Sequence, residues 1–169
     1  IADVGVIGLP NAGKSTFLGS ISNARPEIAN YPFTTIKPNL GVVDIESTSL
    51  LFADIPGLIE GASLGKGLGD EFLKHIERTA VLVHLLDVYE NDLAKYYKSI
   101  RSELKSYGKG LDKKPEIVAI NKIDGLDQDL VEHQFKELKK NIKRGVKVFA
   151  ISATSKQGLP ELLHEIAKA

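Results

Sequence analysis

The chain has 169 residues, of which 43% are apolar, with 22 basic and 22 acidic side chains and no cysteine. Such a length and composition are typical of one globular domain with a sizeable core. The balanced charge gives no electrostatic case for non-specific binding to nucleic acid or membrane, although it does not exclude a local charged patch. Without cysteine there are no disulfides and no cysteine-ligated zinc, which fits a cytoplasmic protein.

The sequence shows no apolar run near the roughly 18 residues of a membrane span, and no signal peptide. It begins with Ile1 and contains no methionine. We therefore expect residues 1–169 to form a single domain that belongs to a longer, multidomain chain.

Short apolar runs rich in branched side chains alternate with segments of helical period, as in a sheet that is buried on both faces. We predict strands at Val4–Ile7, Gly41–Ile45, Ser49–Ala53, Val81–Leu86, Ile117–Ile120 and Val146–Ile151. A tight polar link at 46–48 makes the second and third strands antiparallel. The resulting order, β-α-β-β-α-β-α-β-α-β-α, predicts an α/β fold of three layers, α/β/α. Its sheet is expected to have six strands, mostly parallel, with one antiparallel edge strand.

The stretch GLPNAGKST follows the first strand and contains the spacing GxxxxGKS. Its glycines allow the backbone to wrap around an anion, and the next helix directs its N-terminal amides at that anion. Lys14 is placed to reach the β- and γ-phosphates of a nucleotide, and the Ser15 hydroxyl to ligate Mg²⁺. The alternative is a glycine-rich turn without a ligand. The predicted phosphate contacts are Gly8, Leu9, Pro10, Asn11, Ala12, Gly13, Lys14, Ser15 and Thr16.

A second motif, DxxG, begins where the apolar strand LLFAD ends, 40 residues after Lys14. It comprises Asp54, Ile55, Pro56 and Gly57. Asp54 would hold Mg²⁺ through a water, and the Gly57 amide would meet the γ-phosphate. Taken alone, the motif also fits a helix cap or a turn. The next residue, Leu58, cannot orient a water by hydrogen bonding.

The stretch IVAINKID, at 117–124, ends a buried strand with NKxD. Guanine presents two N–H donors on one edge and a carboxylate accepts both, so Asp124 would favour guanine over adenine. Asn121 would bind the N7/O6 side of the base and tie loops together, and the stem of Lys122 would lie over the ring. After the last strand, the residues SAT place a backbone amide near guanine O6. An isolated NKxD also fits a surface turn. The predicted base contacts are Asn121, Lys122, Ile123, Asp124, Ser152, Ala153 and Thr154.

Two irregular segments, at 23–40 and 56–69, interrupt the alternation, and loops of that length are usually functional or disordered. The first contains Thr34 and Thr35, and either hydroxyl is a candidate Mg²⁺ ligand whose amide would touch the γ-phosphate. Spacing alone does not choose between them, and a β-branched loop residue with no ligand is the alternative. The predicted contacts in this segment are Phe33, Thr34, Thr35, Ile36 and Lys37.

Two further features carry no predicted chemistry. The four histidines share no ligand spacing, and His84, in the strand VLVHLLD, is expected to be a core histidine with satisfied hydrogen bonds. The segment KGLDKKPE, at 109–116, is expected to be a solvated loop before an inner strand.

With these motifs placed, the chain resembles the Obg family of bacterial GTPases, a translation-factor-class P-loop GTPase family, over essentially its whole length. The resemblance rests on GLPNAGKST, NYPFTTIKPNLGVV, ADIPGLIEGAS followed by GKGLGDEFLKHIERT, NKID and SAT. A related ATP-binding family shares NYPF and the proline of the phosphate loop but departs from NKxD, so the intact motif argues against it. The resemblance implies that Thr35 is the Mg²⁺-binding threonine.

The same resemblance implies a glycine-rich N-terminal domain in the full-length protein and association with the large ribosomal subunit and its assembly. It also implies a stress role through guanine nucleotides, including ppGpp. Asn11 would coordinate K⁺ beside the β/γ bridge, where the cation offsets charge on the leaving oxygen. The alternative for Asn11 is a loop residue that satisfies its own backbone. With K⁺ present, backbone groups rather than Leu58 would hold the attacking water.

The sequence thus predicts a GTP hydrolase of low intrinsic rate that changes shape at 31–40 and 55–69. The predicted catalytic residues are Lys14, Thr35 and Gly57. The predicted metal ligands are Ser15, Thr35 and Asp54 for Mg²⁺, the last through a water, and Asn11 for K⁺. Glu60 and Lys66 are candidates for partner-dependent roles.

Two other functions compete with this interpretation. Leu58 favours a guanine-nucleotide sensor and ribosome-docking module that barely hydrolyses its ligand. An ATP-dependent phosphotransferase on the same fold is disfavoured by NKID.

Overall fold

The computed structural model describes residues 3–9, 12–28, 39–54, 77–108 and 110–169. Within these ranges the strands are Val4–Ile7 (β1), Glu27–Ile28 (β2), Asn39–Ile45 (β3), Thr48–Asp54 (β4), Val81–Asp87 (β5), Glu116–Asn121 (β6) and Lys147–Ala150 (β7). The α-helices are Lys14–Ile21 (α1), Leu93–Tyr107 (α2), Gln128–Lys139 (α3) and Leu159–Lys168 (α4). The helix predicted between β4 and β5 lies largely outside the described residues.

The strands form one sheet in the order β2-β3-β4-β1-β5-β6-β7. Strands β4, β1, β5, β6 and β7 are parallel, whereas β3 pairs antiparallel with β4, and β2 with β3. The mostly parallel α/β sheet is therefore confirmed. The prediction of six strands with a single antiparallel edge strand is wrong in its count, because β2 adds a seventh strand and a second antiparallel pairing. Both residues of β2 are exposed, and two residues are too short to show an alternating pattern.

The core lies in two layers, one on each face of the sheet, because successive strand residues point to opposite faces. On one face, Phe17 and Leu18 of α1 and Leu162 of α4 pack against the central strands. On the other face, Leu93 of α2 and Leu138 of α3 do so. All seven residues of β5 are buried, as a parallel strand covered on both sides requires. The three-layer architecture is confirmed.

The topology places the ends of several strands together at one edge of the sheet. Strand β1 lies between β4 and β5, and Val6 of β1 is in register with Asp54. In the same way, Asp87 at the end of β5 is in register with Asn121 at the end of β6. The loops that follow these parallel strands therefore open at the same edge, where ligands of open α/β sheets bind. No helix in the described part of the chain has the length and apolar character to cross a membrane.

His84 is fully buried in β5 and takes part in a polar cluster at the start of β6. Its Nδ1 lies 3.1 Å from Glu116 Oε1, and its ring stacks on Tyr97. Tyr97 Oη donates to Glu116 Oε2 at 3.1 Å, and Arg101 Nη1 lies 3.3 Å from the same oxygen. Because an ionised carboxylate only accepts hydrogen bonds, Nδ1 carries the hydrogen. His84 is thus a core histidine, but only in part satisfied, since its Nε2 makes no hydrogen bond among the described residues.

Glu116 stays ionised in this cluster although it is nearly buried. Burial opposes its charged form, but the hydrogen bond and charge of His84, the charge of Arg101 and the hydrogen bond of Tyr97 outweigh that effect. Its pKa is therefore lowered from the ordinary value of 4.5. The same surroundings, burial first and then the Glu116 charge, raise the pKa of Tyr97.

A lowered carboxylate pKa means that the unfolded chain binds its proton at a higher pH than the folded chain does. The stability from Glu116 is then fully present above about pH 4.5 and is lost as the pH falls through the lower, folded pKa. We predict that Glu116→Gln lowers the free energy of unfolding at pH 7 by about 2–4 kcal/mol, because it leaves Arg101 without its carboxylate. Urea unfolding across a pH series should show the difference from wild type shrinking in acid. A difference that is constant with pH would contradict this account.

Candidate nucleotide site

The phosphate loop ends where α1 begins, and α1 begins in a form suited to an anion. Its N-cap, Gly13, has φ 91° in the left-handed region, and no side chain caps the helix and no acidic residue lies in its first turn. The first backbone amides of α1 are thus left for an anionic ligand. A Cβ atom at Gly13 would lie 2.7 Å from Nδ2 of Asn121, so the loop passes too close to β6 for any larger residue.

Two of the predicted phosphate and metal residues lie next to each other. Lys14 Nζ is 3.4 Å from Asp54 Oδ1, and both side chains are more than nine-tenths buried. Asp54 Oδ1 makes no hydrogen bond within the described residues, so it retains acceptor capacity at the bottom of the site. Ser15 follows Lys14 and is exposed. A buried carboxylate oxygen and a hydroxyl are hard oxygen donors of the kind that Mg²⁺ prefers, so these residues fit the ion.

A cavity of about 250 Å³ opens beside the phosphate loop. Its lining combines the loop with the ends of three strands: Gly13, Thr16, Tyr89, Asn121, Lys122, Asp124, Ala153 and Thr154. The two distant sequence motifs NKID and SAT therefore meet in one pocket, together with the first turn of α1.

Asn121 joins three loops through its side-chain amide. Its Nδ2 donates to the Ala12 carbonyl oxygen at 3.0 Å, and its Oδ1 accepts from the Ala153 amide at 3.0 Å. The side chain is 2% exposed. Both ends of the amide thus serve to hold the phosphate loop and the loop after β7 against β6. Direct contact between Asn121 and a base stays a prediction.

Asp124 is held in a fixed orientation by its neighbours. Ser152 Oγ donates to Asp124 Oδ1 at 2.8 Å and accepts from the Ser155 amide at 3.1 Å. Thr154 Oγ1 lies 3.1 Å from the same Ser152 oxygen. A carboxylate at the wall of a cavity, positioned by a buried hydroxyl, is a preorganised acceptor for a pair of N–H donors.

Two residues at and just after the end of β5 contribute to the pocket but were not predicted from the sequence, since Tyr89 lines the cavity and Asp87 holds Lys122 beside it. Asp87 accepts from the Tyr89 amide at 3.0 Å and from Lys122 Nζ at 3.0 Å. The ion pair holds the Lys122 stem beside the cavity, and Tyr89 lines the cavity with a side chain that is 56% exposed. The sequence offered one indication, an aspartate at the end of an apolar strand. Its role becomes clear from the strand register, which places Asp87 beside Asn121.

Several predicted site residues lie outside the described part of the chain. They are Pro10, Asn11, Phe33, Thr34, Thr35, Ile36, Lys37, Ile55, Pro56 and Gly57. Leu58, Glu60 and Lys66 lie there as well. Their roles stay predictions.

The doubly covered sheet, the GKS loop at the start of α1 and the base-sized pocket behind NKID together define a P-loop GTPase domain. Comparison with known families agrees, since the model of the 50S ribosome-binding GTPase family matches residues 3–122. The chain belongs to this family, and GTP binding and hydrolysis are the activities of its class.

Solved structures show the same fold. The G domain of the T. maritima FeoB iron transporter is 20% identical with a TM-score of 0.66, over 98% of this chain and 96% of that one. A mutant NFeoB of S. thermophilus bound to GDP is 20% identical with a TM-score of 0.70, over 99% and 61%. A mutant of Aquifex aeolicus Era bound to GDP·AlF₄⁻ is 26% identical with a TM-score of 0.69, over 98% and 55%. The chain thus spans the isolated G domain but less than two thirds of these two longer chains.

Gly13 offers a direct test of the loop geometry. We predict that Gly13→Ala lowers GDP affinity by at least about tenfold, because a left-handed alanine is strained and its Cβ presses on the Asn121 amide. Titration of a fluorescent GDP analogue measures the effect. The matched control is Gly19→Ala, which lies within α1 with nothing within 4 Å of the added atom. That change should leave affinity intact and raise stability by up to about 1 kcal/mol. Equal affinities of both variants would show that the loop tolerates a Cβ.

Proposed function

We propose that the chain is the guanine-nucleotide switch domain of an Obg-type GTPase. It binds GTP with Mg²⁺, hydrolyses GTP slowly on its own, and acts in large ribosomal subunit assembly and in stress control, including a response to ppGpp. The observation that carries the nucleotide assignment is Asp124, fixed by Ser152 at the wall of the pocket.

The choice of guanine follows from the charge of this carboxylate. Guanine offers N1–H and N2–H to a carboxylate, whereas adenine offers no such pair and would leave the charge without donors. Ser152 already supplies one hydrogen bond to Asp124 Oδ1, so the orientation of the group is set before the base arrives. This disfavours an ATP-dependent phosphotransferase on the same fold.

The proposed metal ligands are Ser15, Thr35 and, through a water, Asp54. Mg²⁺ bound there would neutralise charge on the β- and γ-phosphates. Lys14 is already held at this place by its ion pair with Asp54. The phosphates would then meet the positive charge of Lys14, and Mg²⁺ the negative charge of Asp54. With Thr35 and the Gly57 amide beside the γ-phosphate, the segments 31–40 and 55–69 would respond to hydrolysis.

The Obg assignment is supported by the sequence resemblance described above and by the description of the matching family, which includes 50S ribosome binding. We infer a cytoplasmic protein with further domains that supply much of the ribosome contact. Structures of FeoB and Era G domains share the fold, so they do not by themselves select one subfamily.

Because the Leu58 side chain cannot hydrogen-bond the attacking water, other groups would have to position it and stabilise the transition state. We infer that Asn11 helps to hold K⁺ near the β/γ bridge, where a cation stabilises charge on the leaving oxygen. The competing function is a guanine-nucleotide sensor and ribosome-docking module with negligible hydrolysis, favoured by the absence of a hydrogen-bonding side chain at Leu58.

Base specificity is tested by Asp124→Asn. Xanthine carries a carbonyl where guanine carries its 2-amino group, and an asparagine amide can donate to that carbonyl. We predict that GDP affinity falls at least about 100-fold and that preference shifts towards XDP. Competition against a fluorescent nucleotide measures both. Asp127→Asn is the matched control, because Asp127 only caps α3 and asparagine caps equally well. GDP affinity unchanged in the Asp124 variant would remove the guanine assignment.

Hydrolysis is tested by single-turnover GTP cleavage in KCl and NaCl of equal ionic strength. We predict at least about tenfold faster cleavage in KCl, because the cation offsets transition-state charge. Asn11→Ala should abolish this difference, whereas Asn91→Ala, an exposed residue outside the nucleotide pocket, should keep it. The same near-background rate in both salts would instead support the sensor function.

A further inference from the structure

A basic groove lies at the edge of the sheet where β6 and β7 begin, which is the edge opposite the nucleotide pocket. It is an open cavity of about 690 Å³ at the starts of β6 and β7. Five basic side chains line it, against two acidic ones: Arg101, Lys113, Lys114, Lys143 and Arg144. The residues of this basic groove come from α2, from the turn before β6 and from the turn before β7. The chain as a whole is neutral, so this is a local concentration of positive charge.

Two acidic residues against five basic ones leave the lining of the groove with a net positive charge. The Glu116 side chain is buried at the floor, where it lies 3.1 Å from His84 Nδ1 and 3.3 Å from Arg101 Nη1. Asp112 is the other acidic residue, and its backbone carbonyl accepts from Arg101 Nη2 at 2.6 Å. Arg101 therefore serves chiefly to build the floor of the groove.

The remaining basic residues divide into structural and available ones. Lys114 Nζ donates to the carbonyl oxygens of Glu77 and Thr79, so it stabilises the fold. Lys113, Lys143 and Arg144 are exposed, and their side chains make no hydrogen bond or ion pair with any residue that the structure describes. Three cations thus face solvent around one concavity.

The charge continues from the groove along the chain. Between residues 136 and 147 there are six basic residues and one acidic residue: Lys136, Glu137, Lys139, Lys140, Lys143, Arg144 and Lys147. Every one of these side chains is exposed. Lys140 pairs with the exposed Glu137 and Lys147 with the half-buried Glu165, and both lysines keep most of their side chain in solvent, where such pairs are weak. The segment that supplies Lys143 and Arg144 to the groove is therefore itself rich in exposed positive charge.

From this arrangement we propose that the basic groove binds the phosphate backbone of duplex RNA. A strip of exposed cations beside a concavity matches a repeating line of phosphates better than a single small anion. The lining contains no exposed aromatic residue in the described part, since Tyr97 is 5% exposed, so stacking of single-stranded bases has no platform. The choice of RNA over DNA rests on the proposed function, in which the partner is the large ribosomal subunit.

The groove is separate from the nucleotide pocket. Glu116 and Asn121 stand at opposite ends of β6, which at about 3.3 Å per residue puts them about 17 Å apart. Groove substitutions should therefore leave GDP binding unchanged, and a failure of RNA binding can be told apart from a failure of the GTPase assignment.

The test is fluorescence anisotropy of a labelled RNA hairpin with the 169-residue chain over a range of KCl concentrations. We expect salt-sensitive binding, and we expect the double variant Lys143→Glu, Arg144→Glu to weaken it at least about tenfold. The plot of log affinity against log salt concentration has a negative slope, and its magnitude should decrease by about 2, one for each lost phosphate contact. Both residues lie in an exposed turn, and unchanged GDP affinity verifies that the variant is folded.

The matched control is the double variant Arg25→Glu, Lys95→Glu, which makes the same change in net charge at exposed positions outside the groove. It should keep most of the RNA affinity. An equal loss in both variants would overturn the proposal, because overall charge rather than the groove would then be responsible. So would wild-type RNA affinity in the groove variant. The assignment to RNA would be overturned if duplex DNA displaced the hairpin at a lower concentration than duplex RNA does. It would also be overturned if the groove bound only anionic lipid vesicles or an acidic protein.

Discussion

The nucleotide pocket depends on one buried amide. Asn121 spans from the Ala12 carbonyl to the Ala153 amide and so fixes two loops that are far apart in sequence. Each bond contributes about 0.5–1.5 kcal/mol, and loss of the side chain would leave two buried backbone groups without partners. Gly13 completes this arrangement, because only a residue without a side chain lets the phosphate loop come so close to the amide.

Around this amide, the site is assembled from strand ends rather than from one continuous motif. Asp87 and Asn121 are neighbours across β5 and β6, and Asp54 is a neighbour of β1. The backbone of the strands therefore sets the distances between the residues predicted to contact phosphate, metal and base. Gln134 of α3 adds to this order, since its Nε2 donates to the carbonyl oxygens of Val88 and Glu90 and secures the turn after β5.

Much of this site follows from the sequence, because its motifs combine rare residue types with a fixed place at strand ends. GKS before a helix suits phosphate binding, and NKID after a buried strand suits base recognition. The structure brings Gly13 and Asp124 to one pocket. The central strands follow from their continuous apolar character. Strand β2 does not, because its two exposed residues are defined only by pairing with β3.

The limits of sequence reasoning are clearest for side chains whose role depends on neighbours. Tyr89 and Asp87 have no distinctive spacing, and their place beside Lys122 comes from strand register. The stretch 109–116 was expected to be a plain solvated loop. Only the packing of α2 and the turn before β7 around it shows that Lys113 and Lys143 border one concavity.

The backbone conformation of Lys122 costs stability, whereas its side chain helps to form the pocket. Its φ of 71° lies in the left-handed region, which costs a residue with a side chain about 1–2 kcal/mol and a glycine almost nothing. Yet only a long cationic side chain can form the ion pair with Asp87 and cover the cavity wall. The domain therefore retains a local strain at a residue that lines its pocket, and a glycine there would relax the backbone but remove the ion pair and part of the pocket wall.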